Sequence, residues 1–208
     1  MLKIHGAKVT AICHLELNGR DSYFVTGAAD GSVRMLDSKT WTLNGDITPL
    51  QVKKVDDVAF ENVSITTMHS DRFDSTVYFG RSDGTITGWD FSKNSWAWAD
   101  KKVIEAHTSE VHVMLGIGRG TLLTGGADGF ISAWDVNTRS PVLMKSFKAH
   151  DSRVRGLCAD ESTVYSTGGD QLVKLWDIDR EKCVAELHAH DTLVMDCSLT
   201  PRGLVKDP

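Results

Sequence analysis

Four stretches of this chain align on one another, and that internal repetition constrains the fold more than any other property of the sequence. They are GAADGSVRMLD (27–37), GRSDGTITGWD (80–90), GGADGFISAWD (125–135) and TGGDQLVKLWD (167–177). Each holds two aspartates seven positions apart: Asp30 and Asp37, Asp83 and Asp90, Asp128 and Asp135, Asp170 and Asp177. The closing aspartates recur at intervals of 53, 45 and 42 residues. A second landmark lies upstream, a histidine four positions before a valine: His5 and Val9, His107 and Val111, His150 and Val154, His190 and Val194. The second repeat departs from it and carries Lys54 ahead of Val58.

Inside the repeats the texture is that of short strands. Segments such as SVRML, TITGW, FISAW and LVKLW alternate in character and follow a tight turn. Asp-Gly at 30–31, 83–84 and 128–129 is hairpin-turn chemistry, because glycine accepts positive φ at no steric cost. No segment sustains a helical period, so the expected fold is all-β with four antiparallel strands per repeat.

These residues resemble the WD-repeat β-propellers, a family named for the Trp-Asp pair seen here at 89–90, 134–135 and 176–177. The resemblance implies four-stranded blades arranged around a channel, usually seven of them. The expected units are residues 5–47, a degenerate 54–103, 107–147, 150–187, and the start of a fifth repeat at 190–208. A ring of seven blades needs ~300 residues, so this chain of 208 reads as an open propeller: four four-stranded blades plus one extra strand, Val194 to Leu199. Three completions are open to such an arc: a longer chain that supplies the missing blades, self-association of two arcs, or closure of the arc on itself.

Each blade of this family holds a polar network, and two repeats here supply all its parts: His107, Thr124, Asp128 and Trp134 in the third, His150, Ser166, Asp170 and Trp176 in the fourth. A half-buried aspartate on a turn needs donors, and an imidazole held by it passes a hydrogen bond on to a hydroxyl and the indole. The first repeat keeps His5, Thr26 and Asp30 but has Leu36 for tryptophan. The second keeps Asp83 and Trp89 but has Lys54 and Phe79 for histidine and hydroxyl, so its network is expected to be absent or replaced by a Lys54–Asp83 ion pair. That repeat is expected to be the least regular, with its extra length in 41 to 57 or 91 to 103. Serine, histidine and aspartate together also suggest a hydrolase triad. A set that recurs once per repeat is a structural motif, whereas an active site needs one exposed nucleophile and an oxyanion hole.

The remaining chemistry is sparse. Net charge is -5 and no basic block is present, which argues against bulk nucleic-acid binding. Cys13, Cys158, Cys183 and Cys197 form no CxxC pair or metal-ligand spacing and read as free thiols, Cys13 and Cys158 packed inward at matching positions. No metal or cofactor is expected. No apolar run approaches the ~18 residues of a membrane span, and residues 1–6 lack the ~7–15-residue apolar core of a secretory signal. The expected address is cytoplasm or nucleus.

The resemblance implies a non-enzymatic scaffold that binds partner proteins on its narrow face, through the third and fifth residues after the histidine and the residue before the turn aspartate. The third and fifth positions are Lys8 and Thr10, Asp57 and Ala59, Glu110 and His112, Arg153 and Arg155, Leu193 and Met195. Ala29, Ser82, Ala127 and Gly169 precede the turn aspartates. Arg153 and Arg155, beside Glu110 and His112, stand out, because paired guanidinium forks suit a carboxylate or phosphate on a partner peptide. Three other functions are open to the family. Cullin-type ubiquitin-ligase receptors carry a basic residue two positions after Trp-Asp, where this chain has Ser92, Asn137 and Asp179, with Lys39 only after Leu36-Asp37. Phosphoinositide-binding propellers carry a Phe-Arg-Arg-Gly motif that is missing from this sequence. An enzyme with a site in the channel is the third.

Overall fold

The computed structural model describes residues 5–17, 21–40, 63–70, 75–91, 102–118, 120–138, 141–160, 163–188, 192, 194–200 and 203–207. Among them there is no helix; seventeen strands form five antiparallel sheets that follow one another in chain order. The first sheet is β1 (Val9–Leu17), β2 (Asp21–Ala28) and β3 (Val33–Asp37). The second is β4 (Ile65–Ser70), β5 (Thr76–Arg81), β6 (Thr85–Asp90) and β7 (Lys102–Glu105). The third is β8 (Val111–Gly116), β9 (Thr121–Gly126), β10 (Phe130–Asp135) and β11 (Val142–Lys148). The fourth is β12 (Val154–Ala159), β13 (Val164–Gly168), β14 (Leu172–Asp177) and β15 (Lys182–His188). The chain ends in a hairpin of β16 (Asp196–Thr200) and β17 (Gly203–Asp207).

The Asp-Gly turns fold as their chemistry requires. Gly31, Gly84 and Gly129 take φ of 78°, 86° and 80°, and Gln171 occupies the same left-handed position at 70° in the fourth repeat. The turn glycines also meet the next repeat. Gly84 O accepts from Ala106 N and His107 N, and Gly129 O accepts from Ala149 N and His150 N, so each turn anchors the entry into the following sheet.

Sheets meet through their first strands, β1 on β4, β4 on β8, β8 on β12 and β12 on β16. The hydrophobic core lies between successive sheets. One cluster joins Leu15, Val25 and Met35 to Ile65 and Phe79; a second joins Tyr78 and Ile86 to Met114 and Trp134; a third joins Leu123 and Ile131 to Val154, Leu157 and Trp176. A β-branched side chain of the second, third and fourth sheets presses into a glycine of the sheet before it. A Cβ on Gly27 would lie 2.5 Å from Ile65, on Gly80 3.0 Å from Val111, and on Gly125 2.7 Å from Val154. Ile65, Val111, Val154 and Val194 are accordingly 0% exposed, whereas Val9 and Ile12, on the side of β1 away from the second sheet, are 46% and 62% exposed. This stacking of apolar faces, worth about 1.5–3 kcal/mol for each fully buried aliphatic side chain, holds the arc together.

Two features differ from the sequence reading. The tail holds two paired strands where one is expected: Thr200 pairs with Gly203 and Asp196 with Asp207. Gly203 to Asp207 is long enough for a strand and lies just beyond Thr200-Pro-Arg, a turn-length break. The second sheet begins at Ile65, whose cross-strand pairing and position beside a bulge match those of Val9, Val111 and Val154. Lys54 and Val58 copy the histidine-to-valine spacing but stand too far from the turn. Val9, Val111 and Val154 precede their turn aspartates by 21, 17 and 16 residues; Val58 precedes Asp83 by 25, Ile65 by 18. The extra length of this repeat therefore lies between Asp37 and Ile65. Lys54, Val58, Asp57, Ala59 and His190 lie outside the described residues, as does most of both proposed excursions. No helix of the described residues is long and apolar enough to cross a membrane.

Candidate interaction site

In the third and fourth sheets the histidine sits between turn and strand. His150 Nδ1 lies 2.9 Å from both oxygens of Asp170, His150 Nε2 lies 2.7 Å from Ser166 Oγ, and Trp176 Nε1 donates to Ser166 Oγ at 2.8 Å. An ionised carboxylate only accepts, so Nδ1 carries the proton and Ser166 donates to Nε2. The third sheet repeats this with His107, Asp128 at 3.1 Å, Thr124 at 2.9 Å and Trp134 at 3.2 Å. Thr124 and Ser166 are 0% exposed, so their hydroxyls bind strands together and are closed to an incoming substrate. Burial is the largest influence on both histidines and depresses their pKa, with the neighbouring aspartates opposing it.

The first sheet uses a relay that the sequence reading lacks. His5 Nε2 meets Thr26 Oγ1 at 2.8 Å, but Nδ1 meets Ser32 Oγ at 2.7 Å, and Ser32 Oγ donates to Asp30 at 2.6 Å. Leu36 fills the tryptophan position and is buried. In the second sheet Asp83 takes Thr85 N and Oγ1 at 2.9 and 2.6 Å, while Phe79 packs edge-on against Trp89 at 5.5 Å. An aromatic pair stands where the third and fourth sheets join hydroxyl to indole.

One end of the first strands carries the residues expected to meet a partner. Within each sheet the backbone N–H before the turn aspartate donates to the third-position carbonyl: Ala29 to Lys8, Ser82 to Ser64, Ala127 to Glu110, Gly169 to Arg153, at 2.8–3.0 Å. Ser64 and Thr66 thus occupy the positions for which Asp57 and Ala59 stand in the sequence reading. The signal that finds them is the strand-to-turn distance, which Lys54 and Val58 exceed. The fifth-position residues, Thr10, Thr66, His112 and Arg155, each fall at a β-bulge in the pairing of first and second strands. A bulge re-aims its side chain, so simple two-residue alternation does not set where these point.

The bulge residues divide into two kinds. Thr10 Oγ1 donates to Ile65 O, and Thr66 Oγ1 donates to Val111 O, so each ties its sheet to the next. Thr10 is therefore occupied as a joint residue, and so is Thr66. His112 and Arg155 are not engaged that way. His112 Nε2 lies 3.8 Å from Glu110 Oε2; burial lowers the His112 pKa, Glu110 opposes that, and the charges of Arg153 and Arg155 lower it further. Arg155 is half-buried, and no acceptor meets its Nε among the described residues; Arg153 is exposed. Glu110, His112, Arg153 and Arg155 thus form one group across the third and fourth sheets. Lys8 and Ser82 are exposed on the first and second sheets, and Met195 is 46% exposed beside the terminal hairpin. Leu193 lies outside the described residues.

A family model described as "WD domain, G-beta repeat" matches residues 1–37 and 141–177. The chain is 30% identical over 125 residues to Meiotic fizzy-related protein 1 of Schizosaccharomyces pombe, which covers 58% of this chain and 29% of that protein. It is 26% identical over 176 residues to the WD repeat-containing protein 91 homolog of Dictyostelium discoideum, covering 82% of this chain and 21% of that protein. It therefore spans less than a third of either relative. Among solved structures, a chain of "Crystal Structure of Mitotic Checkpoint Complex" superposes with a TM-score of 0.71 at 18% identity, covering 88% of this chain and 54% of that one. The recurring histidine, turn aspartate and Trp-Asp, the chain-ordered antiparallel sheets and these matches agree: this chain carries WD repeats and folds as an incomplete β-propeller.

Proposed function

We propose that the chain is an interaction scaffold that docks a partner segment bearing a carboxylate or phosphate on Arg153 and Arg155. The observation that carries this is the contrast among the bulge positions. Thr10 and Thr66 bridge to the next sheet, whereas Arg155 holds a guanidinium whose Nε meets no acceptor among the described residues, next to an exposed Arg153. The half-buried Arg155 and the exposed Arg153 beside it bring two guanidinium forks together, and these donate to a bidentate carboxylate or phosphate. Glu110 contributes selectivity by repelling an anion placed on the His112 side.

A peptide array of neutral, acidic and phosphoserine-containing segments tests this, with fluorescence anisotropy on the segments retained. The wild-type chain retains acidic or phosphorylated members in preference to neutral ones, and the two arms separate carboxylate from phosphate. Arg153→Glu with Arg155→Glu abolishes that retention and leaves the far-ultraviolet circular dichroism unchanged. Equal retention by the charge-reversed chain refutes the assignment.

A second reading concerns the open side of the first sheet. Val9 and Ile12 are 46% and 62% exposed, while their equivalents Val111, Met114, Val154 and Leu157 are covered to 6% or less by the preceding sheet. This face fits the glycine-bearing second strand of another blade, supplied by a second copy or by further chain. Light scattering checks it: a monodisperse monomer of this chain rules out the second copy.

A further inference from the structure

One joint between sheets differs in chemistry from the others. The first-strand residue four after the buried β-branched position faces the next sheet. At the joint of the second and third sheets this residue is His69, whose Nε2 accepts from Gly116 N at 3.1 Å. At the joint of the fourth sheet and the terminal hairpin it is Cys158 on β12, and it meets Cys197 on β16 with the sulfurs 3.1 Å apart. Both thiols are buried, at 8% and 6%, and Cys197 Sγ also lies 4.0 Å from Tyr165 O on β13. Cys13 and Cys183 have no such companion.

We propose that Cys158 and Cys197 form a reversible dithiol–disulfide site that fastens the terminal hairpin to the fourth sheet. A disulfide needs sulfurs about 2.05 Å apart, so an approach of ~1 Å completes the bond. The hairpin has two strands and meets the fourth sheet through β16, which lies against β12 and β13. The shared hydrogen bond favours the thiolate on Cys158, whose pKa is lowered, and raises that of Cys197; the nucleophile is therefore Cys158.

Burial selects a small oxidant, and hydrogen peroxide fits. The Cys158 thiolate attacks one peroxide oxygen and expels hydroxide, leaving a sulfenic acid. Cys197 Sγ then attacks Cys158 Sγ, its thiol proton and the departing hydroxide form water, and the sulfur–sulfur bond closes. Overall, two thiols and one hydrogen peroxide give one disulfide and two waters, with two electrons passing from sulfur to peroxide. A dithiol reductant reverses the bond by exchange.

The experiment treats the intact chain with hydrogen peroxide, alkylates free thiols in denaturant and maps non-reduced peptides by mass spectrometry. The expected result is loss of two hydrogen atoms from the intact mass and a linked peptide pair containing Cys158 and Cys197, with Cys13 and Cys183 alkylated. Dithiothreitol restores four alkylated cysteines. Limited proteolysis gives a second readout: oxidation slows cleavage within 194–207, and Cys158→Ser and Cys197→Ser each remove both the link and the protection. Links involving Cys13 or Cys183, links between chains, or oxidation of Cys158 beyond the sulfenic level with no disulfide overturn the proposal. The wild-type measurement decides the matter even where a serine variant folds poorly.

Discussion

Replacing the turn aspartate by alanine in successive repeats has an effect that depends on what the aspartate holds. In Asp170→Ala, His150 Nδ1 loses its acceptor inside a pocket where the imidazole side chain is 0% exposed. An orphaned buried donor costs about 1–3 kcal/mol. Asp151 N and Leu172 N also lose the carboxylate, at 3.2 and 3.3 Å, on a turn where water replaces it, adding roughly 1 kcal/mol between them. The expected loss is about 2–4 kcal/mol. Asp128→Ala behaves alike, since Asp128 holds His107, Thr108 N and Phe130 N. Among the described residues Asp83→Ala removes two bonds to Thr85 on an exposed turn, along with the charge that faces Arg81, and is expected to cost about 1 kcal/mol. Asp30→Ala falls between, because His5 keeps Ser32. At ~2–4 °C per kcal/mol for a chain of this size, thermal melting followed by circular dichroism separates Asp170→Ala from Asp83→Ala by several degrees. An equal drop for both refutes the reasoning, because the aspartate then acts through the turn alone.

Gly129→Ala is expected to be far more damaging than Gly118→Ala, although both have φ near +80°. A Cβ on Gly129 meets His150 O at 2.3 Å and one on Gly118 meets nothing within 4 Å, so only the first forces the joint of the third and fourth sheets apart; thermal midpoints of the two variants check this. Gln171→Gly relieves a left-handed residue, which costs roughly 1–2 kcal/mol, and gives back part of that as backbone entropy; a gain of about 0.5–1 kcal/mol in urea unfolding is expected. Acid weakens the fold through its buried imidazoles. His5, His107 and His150 are all held below the ordinary histidine value, chiefly by burial, so the unfolded chain binds protons first as pH falls. Their contribution is present in full above about 6.5 and is lost as pH drops through that value toward the folded-state values, which a urea series between pH 7.5 and 5, roughly the span in which histidine titrates, reads directly.

What was legible in the sequence is what a repeat states several times over. The turn chemistry, the strand texture and the partners of His107 and His150 follow from residues that recur at fixed offsets, and the sheets form where those offsets place them. Features that one repeat states alone were harder to read. Ser32 enters the first network because Leu36 offers no indole and the serine sits one hydroxyl's length from both His5 and Asp30. Ile65 was hidden behind Lys54 and Val58, whose spacing copies the landmark while their distance to Asp83 does not.

The β-bulge was illegible for a different reason: it is a property of paired strands, not of either strand's residues. Its consequence bears most on function. A threonine at the bulge is short enough for its hydroxyl to reach the carbonyl of the adjoining sheet, and Thr10 and Thr66 both do so. An imidazole or a guanidinium at the same place is longer and carries, or can carry, charge that the joint has no use for. Where the sequence exchanges threonine for His112 and Arg155, the side chains are only half-buried, and His112 Nε2 and Arg155 Nε meet no hydrogen-bond partner among the described residues. On the docking proposed for Arg153 and Arg155, the third and fourth sheets meet the partner, and the threonine-tied first and second sheets brace them.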